Sequence, residues 1–288
     1  MSKPSSLDKA SGCGVIYAVT GRHFFEEART SICSLRVHHP ELPVLVIIAG
    51  EVETAREVLE GIEHVDFLDL RDRVIEEGYN LDNKMEASRC LKTNVMLHTP
   101  FRYTLFLDTD TFVRNSIAEI YHCIGFDNSE DQPDIVVTCE PITKLSQKIE
   151  SDGRPRATTL QSLSNEDYFN SGVYAFNEAT VKSGFASTWR DTFRKQSSIA
   201  ANDTVSEWKR LCDQTAFNTS LKAYPGFRKK ILSNAIWNAQ CKILNELIKQ
   251  GKFEDVRILH CKMAHVYGGA SSDLLLRSEY IRSFSLAD

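Results

Sequence analysis

Arg102-Tyr-Thr-Leu-Phe-Leu-Asp-Thr-Asp-Thr-Phe-Val113 is the stretch on which the reading of the whole chain turns. Tyr103 to Leu107 is a short apolar, aromatic-rich run after Pro100, the pattern of a strand buried on both faces. It ends in Asp108-Thr109-Asp110. Two carboxylates one residue apart, where a buried strand leaves its sheet, form a hard oxygen-donor pair at the carboxyl edge, where open α/β sheets bind ligands. Each repels the other, and near a low-dielectric sheet edge that repulsion amounts to several kcal/mol on the Coulomb scale unless a cation lies between them. A divalent cation is the simplest reason to place two charges there. The plainer alternative is that Asp108 caps the following turn and Asp110 is solvated, since Asp at strand ends is common turn chemistry.

Outward from this stretch, strands alternate with helices. Val15 to Thr20 is a first strand, followed by Gly21-Arg22 and a helix whose apolar positions Phe25, Ala28, Ile32 and Leu35 are spaced three and four apart. Val44 to Ala49 and His64 to Leu70 are further strands, with a helix between them, and Asp82 or Asn83 can cap the helix that runs to Thr99-Pro100. Ile135 to Glu140 and Tyr168 to Asn177 predict strands, Glu178 to Gln196 and Asp203 to Leu221 predict helices, and Val256 to His260 is a late strand before a closing helix from Ser272 to Phe284. The fold class is α/β: a single Rossmann-like domain, residues 13–288, with a mostly parallel central sheet flanked by helices, behind a loose polar tail at residues 1–12. Between them, residues 144–167 lose apolar periodicity and predict a long loop that serves as a lid or acceptor loop.

The 288 residues carry 42% hydrophobic and 25% charged side chains, ordinary for a globular protein, and a formal net charge of −5. No general attraction to nucleic acid or anionic membrane follows, so any bound anion must be held by a local site. The eight cysteines are scattered without a C-x-x-C spacing and read as reduced thiols. No run approaches membrane-spanning length and the first residues lack an apolar leader core, so the expected location is the cytoplasm.

His260 ends its strand as Asp108 ends its own. If the two strand ends converge, Asp108, Asp110 and His260 give two carboxylates and one imidazole with positions open for ligand oxygens, a set that suits Mn²⁺, with Mg²⁺ as second choice, better than Ca²⁺ or Zn²⁺. The plainer reading of His260 is a partly buried histidine bonded to a backbone carbonyl.

These motifs resemble the core of metal-dependent GT-A fold glycosyltransferases, most closely the family 8 type to which glycogenin and bacterial lipooligosaccharide galactosyltransferases belong. The resemblance runs over roughly residues 14–270 and is carried by the Asp108-Thr109-Asp110 motif, Lys92 one helix earlier, Asn170-Ser171-Gly172, Asp213-Gln214, Trp237-Asn238, His260 with Gly268 and Gly269 behind it, and the first strand's end at Ala18-Val19-Thr20. It implies a transferase that moves a sugar from a nucleoside-diphosphate sugar, a UDP-sugar being the expected donor, to an acceptor, with retention at the anomeric carbon. It further implies that Asp108, Asp110 and His260 bind metal. Asp213, Gln214 and Asn170 would face the sugar. Ala18, Val19, Thr20, Lys92, Thr109, Ser171, Gly172 and Asn238, together with the Asp pair, would line the nucleotide-sugar site.

Where family 8 members usually read Gly-x-x-Lys-Pro-Trp after the metal histidine, this chain reads His260-Cys-Lys-Met-Ala-His265-Val-Tyr-Gly-Gly. The diphosphate contact then either passes to Lys262 or His265 or is missing, and a neighbouring nucleotide-diphospho-sugar transferase family fits as well. Taken singly, Lys92 also reads as a solvated helix lysine, Asn170 as a turn former, and Asp213-Gln214 as an exposed helix face. Two rivals use the same residues. In haloacid-dehalogenase-like phosphatases Asp108 would be nucleophile and Asp110 general acid, but that motif normally opens its domain and no Gly-Asp-x-x-x-Asp follows here. The other is a nucleotide-sugar-binding protein without transferase activity.

Overall fold

The computed structural model describes residues 12–126, 132–139, 168–199, 210–240 and 247–260. The tail but for Gly12, the 144–167 loop, Lys262, His265, Gly268, Gly269 and the closing helix lie outside these residues. The strand and helix alternation is present: β1 (Cys13–Val19), α1 (Arg22–His38), β2 (Val44–Ile48), α2 (Val52–Val58), β3 (Val65–Asp69), α3 (Arg71–Glu76), α4 (Lys84–Asn94) and β4 (Tyr103–Leu107). β5 (Thr111–Val113), α5 (Ala118–Cys123), β6 (Ile135–Cys139) and β7 (Phe169–Asn177) come next. They are followed by α6 (Glu178–Lys182), α7 (Phe185–Ser197), α8 (Asp213–Lys222), β8 (Lys229–Leu232), α9 (Asn234–Trp237), β9 (Ala239–Gln240) and β10 (Ile258–His260).

Seven strands form one sheet in the order β3-β2-β1-β4-β7-β6-β8. The first four run parallel, β7 is antiparallel to both β4 and β6, and β8 is parallel to β6. The sheet is therefore mainly parallel, with β7 the strand that reverses it. Because side chains alternate along each strand, the two faces bury different residues. Val15, Tyr17, Val46, Leu105 and Leu107 pack with α1, α2 and α5 on one side. Ile16, Ile47, Phe106 and Tyr174 pack with α4, α7 and α8 on the other.

Two helix boundaries differ from the expectation. The predicted helix from Glu178 to Gln196 is broken at Ser183-Gly184, where Gly184 takes φ 84 and the chain restarts in α7. A residue in that left-handed region cannot continue a helix, and the restart turns Phe185, Ala186, Trp189 and Phe193 into the core. The helix expected from Asp203 to Leu221 is interrupted: Arg210 is helical, Leu211 turns, Cys212 is extended (φ −79, ψ 96), and α8 starts afresh at Asp213. Val205 and Trp208 lie outside the described residues. The N-cap of α4 is Asn83, whose side chain accepts the Glu86 N–H at 3.2 Å.

Sequence periodicity did not reveal a second sheet of three short strands, in the order β5-β10-β9. β10 runs antiparallel to β5, with His260 opposite Thr111, and parallel to β9, with His260 opposite Gln240. His260 thus reaches the end of β4 through this small sheet, not along the edge of the large one. Among the described residues no helix is long and apolar enough to cross a membrane.

Candidate metal and ligand site

Asp108 leaves β4 into a turn that returns at once as β5. Pairing of β10 with β5 sets His260 opposite Thr111, beside Asp110. Ligand atoms of Asp108, Asp110 and His260 all lie within 4.8 Å of one another. His260 Nε2 is 3.1 Å from Asp110 Oδ1 and 3.8 Å from Asp108 Oδ2. The other ring nitrogen, Nδ1, lies 2.8 Å from Asn238 Oδ1, and the fully buried Asn238 is itself fixed by donating from Nδ2 to Thr138 Oγ1 at 2.9 Å. With Nδ1–H given to that amide oxygen, Nε2 is the nitrogen that faces the carboxylates: without an ion its N–H donates to Asp110, and on losing that proton it would offer its lone pair to a cation, the arrangement of a ligating histidine. The donor set therefore fits a divalent ion of borderline hardness.

Antiparallel pairing of β4 with β7 brings Asn170-Ser171-Gly172 alongside, and the Asp108 N–H donates to the Gly172 carbonyl at 2.8 Å. Asn170 Oδ1 accepts the Gly172 N–H at 2.7 Å. A methyl group on Gly172 would fall well inside van der Waals contact with His260 Cε1 and Asp108 Oδ2. Asn238 and Lys92 restrain those two side chains, so neither can yield freely. Gly172→Ala is expected to push the ligands apart and weaken divalent-cation affinity about tenfold, measured by calorimetric titration, with a smaller effect on melting temperature.

Lys92 and Arg89, three apart on α4, share a face and converge on Asp213 at the start of α8. Lys92 Nζ is 2.8 Å from Asp108 Oδ1 and 3.0 Å from Asp213 Oδ2, and Arg89 Nη1 pairs with Asp213 Oδ1. The Ser171 hydroxyl also donates to Asp213 Oδ2 at 2.8 Å, and the Ser171 N–H to Gln214 Oε1 at 3.3 Å. Lys92 Nζ lies 5.4 Å from the centroid of the Phe106 ring, which stacks on Tyr174.

The charges polarise one another. Burial pushes the Asp108 carboxyl up, Lys92 opposes that, and repulsion from Asp110 adds to it. Burial acts the same way on Asp110, but attraction to His260 and a hydrogen bond from it prevail and bring its pKa to about 2. Burial would lower His260, yet the same Asp110 contact raises it. Burial would likewise lower Lys92, and Asp108 and Asp213 hold it up instead. For Asp213, Arg89 and then Lys92 overcome burial and hold the carboxyl far below the usual range. The site draws positive charge toward Asp108 and Asp110, and in the metal-free protein a proton on His260 supplies part of it.

Of the first-strand positions, Val19 is buried in the core, Ala18 is half-buried, and Thr20 is 1% exposed with its hydroxyl lacking a partner among the described residues. Thr109 donates to Glu27 Oε2 at 2.9 Å. Sequence reasoning missed Arg89 and Glu27. An arginine or glutamate on an amphipathic helix reads as solvated, and only the tertiary packing buries Glu27 and half-buries Arg89 against the site.

No protein-family model and no curated protein matches the chain by sequence. Solved structures do match by shape. A galactosyltransferase, LgtC, in complex with donor and acceptor sugar analogues is 13% identical over 95% of this chain and 94% of that one, with a TM-score of 0.59. Mouse xyloside xylosyltransferase 1 is 19% identical over 86% of this chain and 97% of that one, with a TM-score of 0.51. The glycosyltransferase GlyE of Streptococcus pneumoniae is 15% identical over 96% of this chain and 60% of that one, with a TM-score of 0.56. At such identities the likeness is one of fold. The chain has the GT-A α/β fold, as its sequence resemblance implied.

Proposed function

We propose that the chain is a metal-dependent glycosyltransferase that moves a sugar from a nucleoside-diphosphate sugar, with UDP-sugars as the expected donors, to an acceptor hydroxyl with retention at the anomeric carbon. The observation that carries this reading is the meeting of Asp108, Asp110 and His260 beside buried Lys92, at the carboxyl end of the central strand of a fold that glycosyltransferases share. Asp108, Asp110 and His260 would hold Mn²⁺ or Mg²⁺, which when bound offsets the negative charge that develops on a diphosphate leaving group.

Lys92 is 8% exposed and held in its charged form, so it supplies a second fixed positive charge whose desolvation strengthens its pull on phosphate oxygens. Asn238 orients His260 from beneath. Asp213 is saturated by Arg89, Lys92 and Ser171, which makes it a very weak base and suits it to aligning Lys92 and Gln214 near the sugar. Asn170 and Gln214, near the starts of β7 and α8, would anchor sugar hydroxyls. Thr20 offers a buried hydroxyl that a nucleotide at the end of β1 would satisfy. Lys262 or His265 would add the diphosphate contact.

Calorimetric titration of UDP into the protein, with Mn²⁺ and then with excess chelator, tests the reading. Micromolar binding is expected with the metal and binding at least about a hundredfold weaker without it. A panel of UDP-sugars should then release free UDP. Absence of metal-dependent binding for UDP and for other nucleoside diphosphates would overturn the proposal.

A further inference from the structure

α1 carries two buried stripes. Phe25, Ala28, Ile32 and Leu35 face the apolar core. Glu27, Ser31 and Ser34, spaced by four and three, form a second stripe that is buried although it is polar, at 8%, 0% and 1% exposure. This stripe lies along residues 109–113 and meets alternate positions there. Thr109 donates to Glu27 Oε2 at 2.9 Å, Ser31 Oγ bonds Thr111 Oγ1 at 2.9 Å, and the Val113 N–H donates to Ser34 Oγ at 2.9 Å. Seven helical residues advance about 10 Å and four extended ones about 13 Å, so the two ladders match once the longer glutamate side chain takes up the difference.

The direction of the central bonds is forced. Thr111 Oγ1 gives its one proton to the Asp108 carbonyl at 2.7 Å, so it must accept from Ser31. Ser31 has then used its own proton, and the fully buried Tyr17 hydroxyl, 2.9 Å away, must donate to Ser31. A one-way relay from Tyr17 through Ser31 and Thr111 thus terminates on the backbone of Asp108. Stability does not require this chemistry, because apolar pairs of the same shape are nearly neutral or better. What a fully satisfied buried polar network adds is a single fixed arrangement.

We propose that Glu27, Ser31 and Ser34 are positioning residues that hold the Asp108–Asp110 turn in its metal-binding arrangement before the ion arrives. This rests on the reading of Asp108, Asp110 and His260 as a metal site. The brace spares the ion the work of ordering its own ligands, and it couples the start of α1, beside the end of β1, to the carboxylates.

The test is calorimetric titration of Mn²⁺ alone into wild type, Ser31→Ala, Glu27→Ala and Glu27→Gln, with metal-free melting temperatures and with Leu59→Ala as a core variant remote from the turn. Ser31→Ala changes no charge and is expected to weaken Mn²⁺ binding about tenfold; Glu27→Ala should do the same. Glu27→Gln keeps an oxygen for Thr109 and should stay within about twofold of wild type. Leu59→Ala should melt earlier without any change in Mn²⁺ affinity. Wild-type affinity in Ser31→Ala despite a lowered melting temperature would reduce the seam to packing and overturn the proposal. Equal weakening in Glu27→Gln and Glu27→Ala would make Glu27 a distant charge, with the same consequence. Wild-type protein that binds no Mn²⁺ would remove the metal site itself, and the brace with it.

Discussion

Asp110→Asn is expected to weaken Mn²⁺-dependent UDP binding at least about a hundredfold and to abolish the rise in melting temperature that Mn²⁺ gives the wild-type protein. The substitution is nearly isosteric and sits at the turn after β4, so it leaves the core intact. It removes one of the two formal charges that make the site attractive to a cation. In the metal-free protein Asp110 is stabilised by His260, which brings its pKa from 3.8 to about 2, a difference worth about 2 kcal/mol. A depressed carboxylate contributes stability that is fully present above its unfolded pKa and lost as pH falls through the folded one. The metal-free variant should therefore melt several degrees lower at neutral pH and lose less stability than wild type between pH 4 and 2. A variant that still gains stability from Mn²⁺ would contradict the assignment of Asp110 as a ligand.

The parts of this molecule that were legible in sequence are those where local chemistry and local structure coincide. Asp108 and Asp110 follow an apolar run that reads as a buried strand, and Asn170-Ser171-Gly172 begins another. Their meeting follows once those strands neighbour each other. Gly172 was legible as part of a motif, but its reason, the lack of room for a side chain between His260 and Asp108, is tertiary. β10 was legible as the end of the strand read from Val256 to His260, but β5 and β9 have three and two residues, too few for any period to show, so the pairing by which His260 reaches Asp110 could not be foreseen. The same limit hid Arg89 and the stripe of Glu27, Ser31 and Ser34. In an amphipathic pattern, polar positions opposite the apolar stripe read as the solvent face. Here a second element covers that face, and nothing local in α1 announces it.

Asp213→Ala should be the complement of the first experiment: a large loss of stability with the metal response retained. The carboxylate is 2% exposed and is paired with Arg89 and Lys92, while Ser171 donates to it. Removing it leaves the half-buried Arg89 guanidinium without its acid partner and returns the buried Lys92 to Asp108 alone, a change of the kind that costs about 3–5 kcal/mol. Denaturant unfolding should register that loss, and the double variant Arg89→Met with Asp213→Leu should recover most of it, because replacing a buried ion pair by apolar groups of similar volume is close to neutral. The pH sign is the same as for Asp110 but displaced further into acid. Arg89 and Lys92 hold Asp213 so low that its contribution is complete at neutral pH and erodes only in strong acid. Since Asp213 is held by cations from α4 and does not join Asp108, Asp110 and His260, Mn²⁺ should still raise the melting temperature of the folded variant. Loss of that rise would place Asp213 among the metal ligands. Its retention, beside its disappearance in Asp110→Asn, would separate the carboxylates that hold the ion from the one that aligns the lysine.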